Sequence, residues 1–190
     1  MIEELVRSNR SYRRFHQDHR ISEETLKWFI GLARLTPSSA NRQPIRYILS
    51  RDPEKNARIF PHLAWAGYLT DWSGPSEGER PSAYIVLLGD SRITSSFACD
   101  YGIIAQTILL GAVEKELGGC MISSIKRDSL RAALKIPEHY GILLAIAIGK
   151  PREEISIDPL GEDGSIRYWR DEKGVHHVPK RSLDELILDI

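Results

Sequence analysis

Apolar residues in this chain recur in two rhythms, and the places where one yields to the other outline the elements. Ile2 to Ser8 reads as a short helix leading into a run of arginines. From Ser22 the period is helical. Ser22 is a good N-cap, Glu23 and Glu24 sit in a first turn where the helix dipole favours acid, and Leu26, Phe29, Ile30 and Ala33 share one face. Pro37 ends this helix, and "TPSSANRQP" is a polar loop bounded by prolines. "IRYILSRD" follows as a strand with Ile48 and Leu49 inside it. In "PHLAWAGYLTDWSGPSEGERPS" the first half is assigned to helix, and the Gly-, Pro- and Ser-rich second half to loop.

Two almost uninterrupted apolar runs, "AYIVLLGD" and "GILLAIAIG", read as central strands, the first with both faces buried. Between them, Ser95 to Leu117 carries the strongest helical period, through Ala98, Tyr101, Ala105, Ile108, Leu109, Ala112 and Val113. Gly118 and Gly119 are its expected stop. "CMISSI" is then a short strand, and "DSLRAALK" a helix ended by Pro137. Beyond Pro151 the chain turns polar, with a hairpin expected around "DEKG" in "IRYWRDEKGVHHV" and a last helix in "SLDELILDI". The pattern predicts one domain over residues 1–190, of mixed α and β elements without internal repeats. Residues 152–190 form an extension with no obvious packing partner.

Composition narrows the function classes. The chain of 190 residues is 42% hydrophobic and 27% charged, so a packed core is expected. Lys+Arg and Asp+Glu both number 26, and this balance argues against a dedicated nucleic-acid binder. Four arginines nevertheless fall within "RSNRSYRRF", so the basic charge is local, as at a ligand site. Cys99 and Cys120 are too few for a disulfide framework, and reduced thiols in a cytoplasmic protein are expected. The N-terminus lacks the basic and apolar regions of a signal peptide, and no apolar run is long enough to span a bilayer.

No Walker loop, G-x-G-x-x-G or G-x-S-x-G is present. The six histidines have no metal-ligand spacing with the cysteines; His176 and His177, adjacent on a strand, point to opposite faces and cannot chelate one ion together. What remains is anion binding without glycine loops. Arg10 and Arg13 are fixed donor forks suited to phosphate oxygens, and Lys180 and Arg181 supply two further charges if the chain returns to them. "PSSANRQP" and "ISS" at Ile122–Ser124 add hydroxyl and amide groups. Each segment alone also reads as ordinary solvated surface.

Taken in order, these segments resemble the nitroreductase family. "RSNRSYRRF" is similar to its R-R-S-x-R-x-F motif, and "ARLTPSSANRQP" to its A-P-S-x-x-N-x-Q-P-W loop. "DYGIIAQTILLGAVEKELGGCMI" resembles its central helix running into G-L-G-x-C-x-I, and "AIAIGKP" its strand ending G-x-P. The likeness spans Arg7 to Pro151. It departs at Asn9, where the motif is basic, and at Ile45, where it has tryptophan.

The resemblance implies an α+β sandwich, a central mostly antiparallel sheet flanked by helices, whose C-terminal arms are exchanged in a homodimer. It implies FMN as cofactor, NADH or NADPH as electron donor and ping-pong hydride transfer through flavin N5 to a nitroaromatic, quinone or enone. No side chain is then catalytic, since the cofactor performs the chemistry. A flavin-binding sensor or store without turnover is the alternative.

Carried over by position, Arg10 meets the phosphate, Ser11 the ribityl chain and Arg13 the pyrimidine edge. Pro37, Ser38, Ser39, Asn41 and Gln43 approach from the other subunit. Ile122, Ser123 and Ser124 present backbone N–H near N5, and Lys180 and Arg181 assist the phosphate. Arg7 and Arg14 are left to solvent. Trp65, Tyr68 and Trp72 either roof the flavin or pin their loop to the core. The arginines and the "PSSANRQP" loop flank the helix begun at Ser22. At about fifteen residues it is roughly 22 Å long, which favours a site completed by a second copy.

Overall fold

The computed structural model describes residues 1–189. Along the chain the elements are α1 (Ile2–Ser8), β1 (Phe15–His16), α2 (Glu23–Ala33), β2 (Ile45–Ser50), α3 (Pro53–Ile59), β3 (Ala83–Asp90) and α4 (Asp100–Glu114). There follow β4 (Gly118–Ile122), α5 (Arg127–Leu134), β5 (Tyr140–Pro151), β6 (Ile155–Pro159), β7 (Trp169–Arg170), β8 (His176–Lys180) and α6 (Leu183–Leu186).

The apolar runs form the middle of a five-stranded sheet. β3 pairs with β2 on one side and β5 on the other; β1 and β4 both pair with β5, at Lys150–Pro151 and at Ala145–Gly149 respectively. Every pair is antiparallel. All eight residues of β3 are buried, because helices cover both faces. Strand residues alternate between faces. Ile85, Leu87, Ile146 and Ile148 pack with Leu26 and Phe29 of α2 and Ile108 of α4. Tyr84, Val86, Ala145 and Ala147 pack instead with Ile59 of α3 and Leu130 of α5. The fold is the expected α+β sandwich around an antiparallel sheet.

Several boundaries differ from expectation. The helix assigned to the first half of 61–82 lies earlier, at α3. Asp52 caps it, its side chain accepting from the Lys55 N–H at 2.9 Å, and Pro53 opens it. Residues 63–72 are mostly loop, held by Trp65 packing against Phe60 with ring centroids 5.8 Å apart. The long helix begins at Asp100 rather than Ser95. It ends not at Gly118 but at Glu114, the chain turning off through Glu116, left-handed at φ 55°, with the Leu117 N–H returning to the Ala112 carbonyl at 2.8 Å. Gly118 and Gly119 are therefore strand residues. The last helix is shorter than expected, four residues from Leu183.

Within the chain, the first part of the extension packs against the arginine segment, through Glu153 and His176 at Arg13. The hairpin around "DEKG" is present, pairing Trp169 with His177 and Arg170 with His176, and β6 joins β8 in parallel. This small sheet is anchored by Glu153 and His176, both buried. Its distal end, with Leu183, Leu186, Ile187 and Leu188, leaves its large apolar side chains most exposed; Ile157, Ile166 and Trp169 are exposed to a lesser degree. Among the described residues no helix is long and apolar enough to cross a membrane.

Candidate functional site

After α1 the chain runs extended beside β4. Ser11 bridges Gly119 in parallel register, and the Tyr12 N–H donates to the Gly119 carbonyl at 3.0 Å. Glycine is required there, since a Cβ at position 119 would stand 2.5 Å from the Ala147 carbonyl oxygen. This docking delivers Arg13 to the end of β4. There a cavity of about 280 Å³ is lined by Arg13, Cys120, Ser123, Ser124, Trp65 and Tyr168, among others. Ile122 belongs to the same wall.

The backbone of this wall is unusual in its hydrogen bonding. The Ser124 carbonyl accepts from the Ala64 N–H at 2.9 Å and the Ser123 carbonyl from Arg127 at 3.3 Å. The N–H groups of Ser123 and Ser124 donate to no acceptor among the described residues. Two donors thus line a cavity that also holds a guanidinium. Arg10 is not in that lining: its Nη2 donates to the Val6 carbonyl at 2.8 Å, while its buried Nε has no partner among the described residues. Ser123 and Ser124 are exposed, so water serves their N–H groups until a ligand supplies acceptors, whereas the buried Arg10 Nε left unpaired costs free energy.

Arg13 is held on several sides. Its backbone N–H donates to the Glu153 carboxylate, and its Nη1 donates to the Ser11 carbonyl at 3.2 Å. Nη1 also lies 3.3 Å from His176 Nε2, and the guanidinium sits 5.0 Å from the centre of the Tyr168 ring. Burial, and after it the Arg13 charge, pull the His176 pKa down to about 4. The imidazole is therefore neutral near pH 7 and can accept from the guanidinium. Glu153 also accepts from the Arg14 N–H at 3.1 Å and from Arg170 at 3.0 Å. Burial raises the pKa of the Cys120 thiol, so this side chain is a small apolar wall rather than a thiolate.

The loop after α2 is built with equal care in a different place. Asp100, buried at the start of α4, accepts from Ser38 Oγ at 2.6 Å and from the Ser39 N–H at 3.0 Å. Ser38 Oγ in turn accepts from the Gln43 N–H at 2.9 Å, and Gln43 donates to Asn41 Oδ1 at 3.0 Å. Ala40, Asn41 and Gln43 all have positive φ, near 50°, a conformation persisting only where surroundings enforce it. Pro37, Ser38 and Gln43 line a second cavity of about 290 Å³, which shares no residue with the first. The structure therefore brings Arg13 to Ser123 and Ser124, seats Ser11 beside Gly119 and Arg10 against the Val6 carbonyl outside that lining, and keeps residues 37–43 apart from the cavity in the same subunit.

Lys180 and Arg181 lie apart from Arg13 within the chain, and Arg14 differs from expectation. Lys180 and Arg181 do not reach the Arg13 cavity: β8 touches Arg13 at His176, and four further residues carry the strand about 13 Å onward. Lys180 is exposed, and Arg181 pairs with Glu185 at 3.3 Å. Arg14 is not left to solvent but forms a two-point ion pair with Glu79, its Nε donating at 2.9 Å. Arg7 does remain exposed, paired with Glu3. Of the aromatic trio, Trp65 lines the cavity, whereas Tyr68 packs on Tyr168 and Trp72 lies under Arg170. Sequence reasoning missed Glu153, Tyr168 and His176 as partners of the arginine segment. The opposite-face expectation for His176 and His177 was the one available signal: His177 turns away to Asp158, 2.6 Å distant.

Comparison with known proteins gives the site a context. The model of the nitroreductase family matches residues 6–71 and 78–150. An Archaeoglobus fulgidus protein with the provisional name NADH dehydrogenase/NAD(P)H nitroreductase is 25% identical over 158 residues, 79% of this chain and 85% of its own. The structure of an FMN-dependent nitroreductase from Clostridium difficile R20291 matches with TM-score 0.66 and 26% identity, over 81% of this chain and 89% of that one. A nitroreductase family protein from Clostridium novyi NT, at TM-score 0.68 and 20% identity, shares the fold over 97% of this chain and 98% of its own.

Proposed function

The chain belongs to the nitroreductase family, and from that premise we propose that it is an FMN-dependent oxidoreductase taking hydride from NAD(P)H and reducing a small nitroaromatic, quinone or enone. Flavin-linked oxidoreduction is the general activity that membership carries; the cofactor, donor and acceptor named here are our reading. The observation that supports it best is the pair of undonated N–H groups at Ser123 and Ser124 in one cavity with Arg13.

The donor set fits FMN. Arg10, with its unpartnered Nε, and Ser11 would hold the phosphate and ribityl end, while Arg13 would meet the pyrimidine edge. The Ser123 and Ser124 N–H groups would orient the ring. When bound, the flavin supplies the hydride-accepting and hydride-donating atom, so the protein needs no nucleophile or general base of its own. Its residues bind, orient and exclude water: Trp65 and Tyr168 wall the cavity, and Arg13 places positive charge where reduction adds negative charge. Donor and acceptor would occupy this one cavity in turn.

The loop Pro37–Gln43 fits a site shared between two copies. It is rigid and polar, and it lies away from its own Arg13 cavity. In the homodimer we propose, each copy lends this loop to the flavin of the other. The chain acts as one domain over 1–190, and the exposed apolar end after β8 clasps the partner.

The test is to purify the protein, identify any released cofactor by mass, and follow NAD(P)H oxidation with a quinone acceptor. FMN with steady turnover is expected. FAD, or a colourless protein indifferent to added FMN, contradicts the cofactor assignment. A bound flavin that nicotinamide does not reduce makes the protein a sensor or store instead.

A further inference from the structure

A larger cavity, about 440 Å³, opens where the turn after β1, the start of α3 and the start of β3 meet. It shares no residue with the Arg13 cavity. Its size is that of a small-molecule site. Three of its lining residues carry a polar atom that is closed to solvent and has no partner among the described residues: Arg80 Nε, Ser82 Oγ and Tyr84 Oη. Ser82 is 9% exposed and Tyr84 1%. All three can donate, and they lie within five consecutive residues leading into a central strand. One buried hydroxyl without a partner is a defect; three donors on one cavity wall suit an absent acceptor.

The wall is braced. Gln17 Oε1 accepts from the Gly78 N–H at 2.8 Å and from the Arg80 N–H at 3.2 Å, fixing the segment ahead of β3. Asn56 of α3 donates to the Ser82 carbonyl at 2.8 Å and accepts from Ser50 at 2.7 Å. The Arg80 guanidinium sits over Phe60, 4.4 Å from the ring centre, and is in no ion pair among the described residues. Arg20 and Arg51 also line the cavity, Arg51 pairing with Glu23 at 3.8 Å, and Asp18 and Glu77 add carboxylates to the rim, which leaves Arg80 as the guanidinium set beside the two buried hydroxyls. Phe60, Ala57 and Pro81 make the remaining wall apolar.

We propose that this cavity binds a small organic carboxylate with a flat apolar body, its carboxylate received by Arg80, Ser82 and Tyr84 and its body laid against Phe60. The site is separate from the flavin reading and stands without it.

Calorimetric titration of the protein as purified with sodium benzoate tests this, with acetate and inorganic phosphate as parallel arms. Benzoate is expected to bind without altering any flavin absorption band, acetate more weakly and phosphate most weakly. Tyr84→Phe removes only an unpartnered hydroxyl. It should weaken benzoate about tenfold or more while leaving the melting temperature unchanged or higher. Arg80→Met, which keeps the cover over Phe60, should abolish binding. Absence of heat with all three anions would mean a cavity holding only water and would overturn the proposal. Benzoate affinity unchanged in both variants, or phosphate bound more tightly than benzoate, would overturn it too.

Discussion

His176 Nε2 lies 3.3 Å from Arg13 Nη1, a contact spanning 163 positions of sequence. It joins the arginine segment before the first long helix to the last strand of the C-terminal extension, so the extension shapes the site as well as covering it. Burial keeps this histidine neutral, which leaves Arg13 with its positive charge undivided.

Replacing Arg13 with alanine is expected to lower the potential of the bound flavin by roughly 30–60 mV, from the loss of one charge-assisted hydrogen bond. Reduction by NAD(P)H should slow while the dimer persists. Spectroelectrochemistry and stopped-flow reduction measure both. A potential and rate equal to those of the unaltered protein, at full FMN occupancy, would remove Arg13 from the role assigned to it.

Asp100 touches no part of the Arg13 cavity, yet its two hydrogen bonds hold the Ser38–Gln43 loop. Asp100→Ala should loosen that loop at a cost of about 2 kcal/mol. If the loop serves the partner's flavin, FMN affinity should fall by tenfold or more. Equilibrium flavin titration with the dimer verified intact is the measurement. Undiminished affinity would place the loop outside the site.

The two adjacent histidines predict opposite responses to pH. Hydrogen bonding to Asp158, then the charge there and at Asp171, holds the His177 pKa above its ordinary value. Its stabilising effect is complete below about 6.5 and is lost as pH rises through the raised value. For His176 the folded pKa is about 4. The unfolded chain binds that proton first, so its effect is complete above about 6.5 and is lost as pH falls towards 4. Hydrogen exchange of the Trp169–Arg170 and His176–Lys180 strands should thus show greatest protection near pH 6.5. His177→Gln should remove the alkaline decline and leave the acid one. Protection that changes in one direction throughout would contradict these assignments.

Much of this fold was legible because burial writes itself into composition. β3 and β5 are unbroken apolar runs since helices cover both faces, and Ser22 does cap α2, accepting from the Thr25 N–H at 3.0 Å. α3 was legible too, in Asp52 and Pro53, but the neighbouring aromatic residues drew the assignment towards Trp65 and Trp72. Those tryptophans pack a loop instead. Within the site, Arg13, Ser123 and Ser124 were found through motif order. Glu153 and His176 were not, because their partners are distant in sequence and nothing near them in the chain signals pairing. The left-handed Ala40 and Gln43 were equally hidden, since those residue types give no local sign of positive φ, whereas Asn41 is of a type enriched there.

Leu183, Leu186, Ile187 and Leu188 are each more than 60% exposed, whereas Ile157, Ile166 and Trp169 earlier in the extension are 44–51% exposed. Deleting 183–190 should leave the melting temperature nearly unchanged and weaken self-association. Deleting everything beyond Pro151 should instead cost stability, by stripping Glu153, Tyr168 and His176 from Arg13 and its neighbours. Thermal melts and light scattering on both truncations separate the cases. An unaltered dimer in the shorter deletion would show that this end does not clasp a partner.

In the proposed dimer, a single chain does not complete the flavin site. Sedimentation velocity recorded simultaneously in the protein band and the visible flavin band tests it most directly, over a dilution series. The expected result is one FMN per chain, all of it sedimenting with the dimer and released as dilution yields monomer. A monomer that carries FMN at full occupancy would contradict it.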